Sequence, residues 1–173
     1  MSNNGRISSF SGALLASYFI PAWTKIAFQI MISPIHGLYE RPNVSMALFV
    51  SDHLHLTGMA TVRFAWLLAL GRMTVVAFLA IFLVLIVRAS VRKSGGGNEA
   101  GNEALGMALG IGSVISFASV LMASQVGETA ALRMHAAELL LMLGTAIVML
   151  VERPALRPSE IGVPSGSLSL HQS

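Results

Sequence analysis

The feature that most constrains the fold of this chain is an uncharged apolar run of 23 residues, Ala104 to Val126. About 20 such residues allow a helix to cross a hydrocarbon core of roughly 30 Å. Three further apolar stretches each carry only one or two ionisable side chains. We therefore predict an all-α polytopic membrane protein whose four transmembrane helices form one bundle within residues 1–153. The expected spans are about 8–32, 64–87, 104–126 and 134–151.

The composition supports a membrane protein and argues against other classes. Apolar residues make up 54% of the chain and charged residues only 11%, whereas soluble domains contain about 25% charged residues. The net charge is +3, but the basic residues are scattered among helix ends and form no stripe, so we expect no nucleic-acid partner. The chain has no cysteine, which excludes disulfides and thiol chemistry.

The segments between the predicted helices suggest an orientation. In the first loop, the apolar piece Val44 to Val50 is too short to span and is expected to form a short interfacial or re-entrant segment. The second loop carries Arg88, Arg92 and Lys93, which we expect to bind anionic phospholipid headgroups. Six loop Lys and Arg residues fall on the side of the termini and three on the other, so both termini are expected to be cytoplasmic. Residues 154–173 are rich in Pro, Ser and Gly and are predicted to be a disordered cytoplasmic tail.

Polar residues inside the predicted spans form a candidate site. Lys25, Arg72 and Glu138 are each expected within roughly 6 to 12 Å of the external interface, by the helix rise of about 1.5 Å per residue. Charges in a bilayer are costly and are treated as functional hypotheses. The structural alternative is that the cations reach the headgroups and Glu138 makes one packing ion pair. If the group binds a ligand, two cations against one carboxylate favour an anion. The candidate ligand-binding residues are Lys25, Gln29, Arg72, His135 and Glu138.

Metal binding is a weaker hypothesis. His53 and His55 are two residues apart and suit a metal only in an extended segment, with methionines as soft ligands for copper. A haem would need two inward histidines on different helices, and only His135 lies near a helix interior. We expect no cofactor.

The third helix carries two faces of small residues, which typically allow close helix packing. Gly106, Gly110 and Ser113 share one face, and Gly112 and Ser116 lie on a second face. Two such faces suit a helix placed between two neighbours in a bundle. The alternative is that one face forms a homodimer.

The layout of the chain resembles the YqhA-type family of uncharacterised four-helix bacterial inner-membrane proteins. The residues that carry the resemblance are Ser113, Ser116 and Ser119 in the third helix, Met134-His135 at the start of the fourth helix, and Glu152-Arg153 at its end. The resemblance implies a location in the bacterial cytoplasmic membrane and a four-helix fold, and it implies no activity.

Functional motifs of high specificity are lacking. No Ser, His and Asp set suggests a triad, no carboxylates pair on one helix face, and no Gly-rich phosphate loop follows a strand. We therefore expect a non-enzymatic protein with a structural or accessory role in the membrane. The alternatives are a small transporter or binding module for an anionic ligand and, third, a copper or haem protein. Besides the lipid bilayer, a second copy of the chain or a membrane complex remains open as a partner.

Overall fold

The computed structural model describes residues 5–92 and 97–152, with side chains described for 7–91 and 100–152. In this part of the chain all regular secondary structure is helical. Four long helices account for most of it: α1 Gly5–Ile32, α4 Gly58–Arg92, α5 Gly97–Val126 and α6 Thr129–Val151. Each is long and apolar enough to cross a membrane. The prediction of an all-α, multi-pass membrane protein is therefore confirmed.

The long helices extend beyond the predicted spans. Because α4 has 35 residues, its length of about 52 Å exceeds the roughly 30 Å of a hydrocarbon core. The sequence prediction covered the apolar stretch 64–87, whereas α4 also includes residues 58–63 and 88–92. The helix α1 continues through Pro21.

The four long helices pack as an antiparallel bundle. The helix α4 lies between α1 and α5, α6 lies along α5, and α1 contacts α6 to close the ring. An apolar core runs along this bundle and includes Phe19, Leu79, Phe82 and Leu105. The bundle therefore has two ends. We call the end at which α1 begins and α4 and α6 end the terminal end, and the opposite end the loop end.

Residues 33–57, here called the connection, fold into short helices at the loop end. They are α2 Pro34–Tyr39, a 3-10 helix Arg41–Asn43, α3 Val44–Phe49 and a π-helix Val50–Leu54. A second apolar cluster beneath them joins Leu38 and Met46 of the connection to Ile30 and Ala69 of the bundle. The predicted short segment at Val44 to Val50 thus corresponds to α3, which packs against α5.

Only one of the two small-residue faces of α5 packs as expected. Gly112 is buried, and a Cβ added there would lie 2.8 Å from Met142 of α6 and 3.6 Å from Val75 of α4. Ser116 is buried on the same face. Gly112 therefore sits between two neighbouring helices.

The other face was predicted wrongly at Gly110. Gly110 is exposed, and a Cβ added there would meet no atom within 4 Å. Gly106 lies one turn away, where an added Cβ would lie 3.4 Å from Met149, and Ser113 is half-buried. The bundle needs only one close face on α5, because α4 and α6 both approach the Gly112 side.

Candidate functional site: a buried polar cluster at the loop end

Five polar side chains from four parts of the fold meet under the connection. Each is at most 5% exposed. We call this set the polar cluster; its members are Trp23 of α1, Asn43 of the connection, Arg72 of α4, and His135 and Glu138 of α6. Since uncompensated polar groups are costly in a protein interior, their mutual contacts determine what the cluster can do.

Glu138 is the acceptor at the centre of the cluster. The indole nitrogen Nε1 of Trp23 donates to its Oε1 atom at 3.3 Å. The Nδ1 atom of His135 lies 2.9 Å from its Oε2 atom. A spacing of three residues places His135 and Glu138 on one face of α6. The hydrogen bond from Trp23 joins that face to α1.

His135 links α6 to the connection. Its second ring nitrogen, Nε2, lies 2.9 Å from the backbone carbonyl oxygen of Pro42. Both ring nitrogens of this buried histidine therefore have a protein partner. The imidazole is a bridge between the Glu138 carboxylate and the chain just before α3.

Arg72 joins α4 to the same group. Its Nη1 atom donates to Oδ1 of Asn43 at 2.6 Å, and Nδ2 of Asn43 donates to the carbonyl oxygen of Gly37 at 2.9 Å. The Arg72 guanidinium carbon lies 5.8 Å from the centre of the Trp23 ring, a distance that suits a cation–π contact. Trp23 thus contacts the buried cation with its ring and the buried carboxylate with its N–H group.

Arg72 retains unused donor capacity. Within the described residues, His135 and Glu138 form the one ionic contact of 4.0 Å or less. Arg72 therefore has no carboxylate within salt-bridge distance in this part of the chain. Its Nε atom is buried without a hydrogen-bond partner, as are the hydroxyl oxygens of Ser45 and Ser116. Buried unsatisfied polar atoms are rare and point to a functional or solvent role.

The structure brings together three of the five predicted ligand-binding residues: Arg72, His135 and Glu138. The expectation that Lys25 also faces the interior is wrong, because its side chain is exposed. Residues that are two positions apart in a helix differ by about 200° around its axis. Because Trp23 faces the interior, Lys25 therefore faces outward. Gln29 is half-buried, and no side-chain hydrogen bond in the described part of the chain joins it to the cluster.

Two members of the cluster were not identified from the sequence. Trp23 lies near the predicted depth of Glu138. Because a buried indole N–H group needs an acceptor, this shared depth could have identified Trp23 as a partner of Glu138. Asn43 lies in a segment that the sequence predicts to be a loop, where helical periodicity gives no angular position; in the structure it ends the 3-10 helix. Its contact with Arg72 depends on how the connection folds back.

The residues proposed for metals are arranged differently from a metal site. His53 and His55 are both exposed, and the His53 ring stacks on Phe49 with centroids 5.0 Å apart. Among the described residues there is no group of three or more His, Cys, Asp or Glu side chains that could hold a metal. His135 has both nitrogens engaged, so neither is free to act as an axial haem ligand.

Two surface grooves lie outside the polar cluster. A groove of about 780 Å³ includes Met31, Arg63 and Trp66, and one of about 640 Å³ between α5 and α6 includes Gly106 and Gly110. Neither is lined by a member of the cluster. The exposed Arg88 is available for headgroups, whereas the Arg92 side chain, Lys93 and the predicted tail 154–173 lie outside the described residues.

Comparison of the chain with protein-family models, with curated proteins and with solved structures gives no match.

Proposed function

We propose that this membrane protein is a structural or accessory component of the membrane, and that its polar cluster fixes the connection on the four-helix bundle. The observation that carries the proposal is that every polar side-chain atom of the His135–Glu138 pair has a partner within the protein. Both carboxylate oxygens and both ring nitrogens are engaged by groups of the protein itself. These contacts join α6 to α1 and to the connection, which suits a pair that holds segments together.

A flux measurement tests this role against transport. We expect vesicles that contain the purified protein to take up iodide or chloride no faster than protein-free vesicles. We also expect Arg72→Met to lower the midpoint of thermal unfolding in detergent, since it removes the partner of Asn43. Anion uptake that requires the protein and is abolished by Arg72→Met, with thermal stability unchanged, would establish a transporter and overturn the proposal.

A second candidate, binding of a small anion at Arg72, is favoured by the unused donors. The Nε–H group of Arg72 and the hydroxyls of Ser45 and Ser116 are buried and have no hydrogen-bond partner among the residues that the structure describes. The helices that carry these residues pack against each other, because α5 contacts both α4 and α3. Three donors and a positive charge suit a halide or a similar anion.

Trp23 provides the test of the second candidate. The chain has two tryptophans, so Trp66→Phe leaves Trp23 as the only one. Replacing gluconate by chloride should raise the unfolding midpoint, and iodide should quench Trp23 emission in a saturable manner. Identical unfolding midpoints in the two salts and no saturable quenching would exclude anion binding. The matched control is Arg63→Met, which removes an exposed arginine of the same helix.

We further propose that the protein resides in the bacterial cytoplasmic membrane with both termini in the cytoplasm, and that it is not an enzyme. The unequal numbers of Lys and Arg in the loops and the resemblance in layout to YqhA-type proteins support this placement. Carboxy-terminal fusions active only in the cytoplasm or only in the periplasm test the topology. A periplasmic carboxy terminus would exclude it.

A further inference from the structure

The donors and acceptors around His135 determine how many protons the pair holds. The Pro42 carbonyl oxygen can only accept a hydrogen bond, so Nε2 of His135 must carry the hydrogen in the 2.9 Å contact. The Nδ1 atom faces a carboxylate oxygen at 2.9 Å, and that contact also needs a hydrogen. It is present either on Nδ1, giving an imidazolium and a carboxylate, or on Glu138, giving a neutral imidazole and a carboxylic acid.

From this geometry we infer that His135 and Glu138 form a proton-binding site that couples α6 to the connection. The pair in its observed arrangement holds one more proton than a neutral histidine beside a carboxylate. When that proton leaves, a single hydrogen remains for two contacts. Either Nδ1 faces the carboxylate with two lone pairs opposed, or Nε2 faces the Pro42 carbonyl in the same way.

The contact with Pro42 is the one that is lost. His135 and Glu138 are three residues apart on one helix, so their contact is local, and a charged acceptor makes it the stronger hydrogen bond. After deprotonation the remaining hydrogen therefore lies on Nδ1 and points to Glu138. The link between α6 and the connection is intact at low pH and is released as the pH rises.

The charges that surround the pair leave it as the titrating group inside the cluster. Arg72 is the other buried charged side chain among the described residues. The net charge of Arg72, His135 and Glu138 together is +1 when the pair holds the extra proton and zero when it does not. Among the side chains described for α1, the ionisable residues Tyr18 and Lys25 are both exposed, and residues 104–126 of α5 contain no ionisable residue. The other ionisable side chains at the loop end are exposed or half-buried: His36, Tyr39, Glu40, Arg41, Asp52, His53 and His55 of the connection, Arg63 of α4, Glu128 of the α5–α6 turn, and Arg133 of α6.

Glu138→Gln is the decisive variant. A glutamine amide can donate to Nδ1 of a neutral histidine while its oxygen accepts from Trp23, so both contacts of His135 persist without the extra proton. The variant has the same net charge as the proton-bound pair. It should keep the connection docked at every pH.

The experiment follows Trp23 emission in nanodiscs on the Trp66→Phe background from about pH 5 to 8. We expect one sigmoidal shift of the emission maximum in the parent and loss of that shift in Glu138→Gln. The control His36→Gln/His53→Gln/His55→Gln, which removes the exposed histidines of the connection, should retain it. Emission that is independent of pH in the parent, or a shift that survives in Glu138→Gln, overturns the inference.

A second measurement on the parent chain covers the case in which Glu138→Gln does not fold. Nitrogen-15 NMR of labelled histidine should show the buried imidazole with a hydrogen on Nε2 at the acidic limit. A buried imidazole protonated only on Nδ1 throughout the range overturns the inference.

The inference rests on the proposed structural role of the polar cluster. Different measurements test the structural role and the proton-binding site, so either can be excluded without the other. If thermal stability depends on Glu138 equally at all pH values while Trp23 emission stays constant, the structural role stands and the proton site does not exist. If vesicles show protein-dependent anion uptake that Arg72→Met abolishes, the structural role fails whatever the emission shows.

Discussion

The two ends of the bundle are held together by different kinds of contact. At the terminal end, Gly12 of α1 allows Phe82 and Leu105 to approach so closely that an added Cβ would lie 2.5 Å from the Phe82 ring. At the loop end, Glu138 and Arg72 bring together α1, α4, α6 and the connection through hydrogen bonds and a cation–π contact. The terminal end therefore depends on the shapes of apolar side chains, and the loop end depends on polar partners.

The difference follows from what each end must hold. Long helices satisfy their own backbone hydrogen bonds and associate through close packing, so small residues are sufficient at the terminal end. The connection consists of short helices whose ends leave backbone groups unpaired. The carbonyls of Gly37 and Pro42 accept hydrogen bonds from Asn43 and His135, which places the polar cluster where backbone carbonyls need donors.

The largest expected effect is that of Glu138→Ala at the loop end. It leaves the Trp23 N–H group without an acceptor, one nitrogen of His135 without a partner and the Arg72 charge isolated, and breaking a buried charged pair costs about 3 to 5 kcal/mol. Thermal unfolding in detergent should show a clear loss of stability, and protease should cut the connection faster. The control Glu103→Ala removes an exposed carboxylate of α5 and should change neither. Equal stability of the two variants would mean that the polar cluster does not hold the loop end.

Gly37→Ala tests the loop end by packing alone. An added Cβ would lie 2.6 Å from Cα and 2.7 Å from the backbone nitrogen of Ile30. Backbone atoms inside α1 cannot relieve this overlap by changing rotamer, as a side chain could. We expect a destabilisation of about 1 to 3 kcal/mol, measured by the shift in the unfolding midpoint. Gly58→Ala, where nothing lies within 4 Å, is the matched control. An unchanged midpoint for Gly37→Ala would show that α2 does not dock against α1.

A smaller effect is expected for Gly12→Ala at the terminal end. The nearest atoms there belong to the side chains of Phe82 and Leu105, which can move. We therefore expect the free energy of unfolding to fall by about 1 kcal/mol, the lower end of the usual overpacking cost. The double variant Gly12→Ala/Phe82→Leu should lose less stability than the sum of the two single variants, because the smaller side chain gives room to the new methyl group. Strict additivity would show that Gly12 and Phe82 do not pack against each other.

The sequence predicted the bundle better than it predicted the cluster, for physical reasons. Helix length and apolar content are local properties, and they identified four helices that the structure confirms. The depth of Arg72 and Glu138 also follows from helix rise. Which residues of a helix face inward depends on its rotation, and in α1 the bulky Trp23 occupies the interior in place of Lys25. The position of Asn43 depends on how 25 residues of connection fold, which no periodicity determines.

The same comparison explains why Gly110 was misjudged. A Gly-x-x-x-Gly pattern shows that a close approach is sterically allowed, but it does not show which helix makes the approach. The neighbours α4 and α6 approach the Gly112 side, so Gly110 faces the outside of the bundle.

The smallest expected effect is that of Lys25→Met, which sharpens the distinction between buried and exposed charges at the loop end. Lys25 is exposed on α1, two residues from the buried Trp23, and surface substitutions away from buried features usually change stability by less than about 0.5 kcal/mol. The unfolding midpoint of Lys25→Met should therefore match the parent, whereas Arg72→Met, which removes a buried partner of Asn43, should lower it. Suppose instead that Lys25→Met destabilised the protein as much as Arg72→Met, and that Glu138→Gln abolished the effect of Lys25→Met. Lys25 would then be coupled to Glu138 inside the bundle, and the rotation of α1 that buries Trp23 would be wrong.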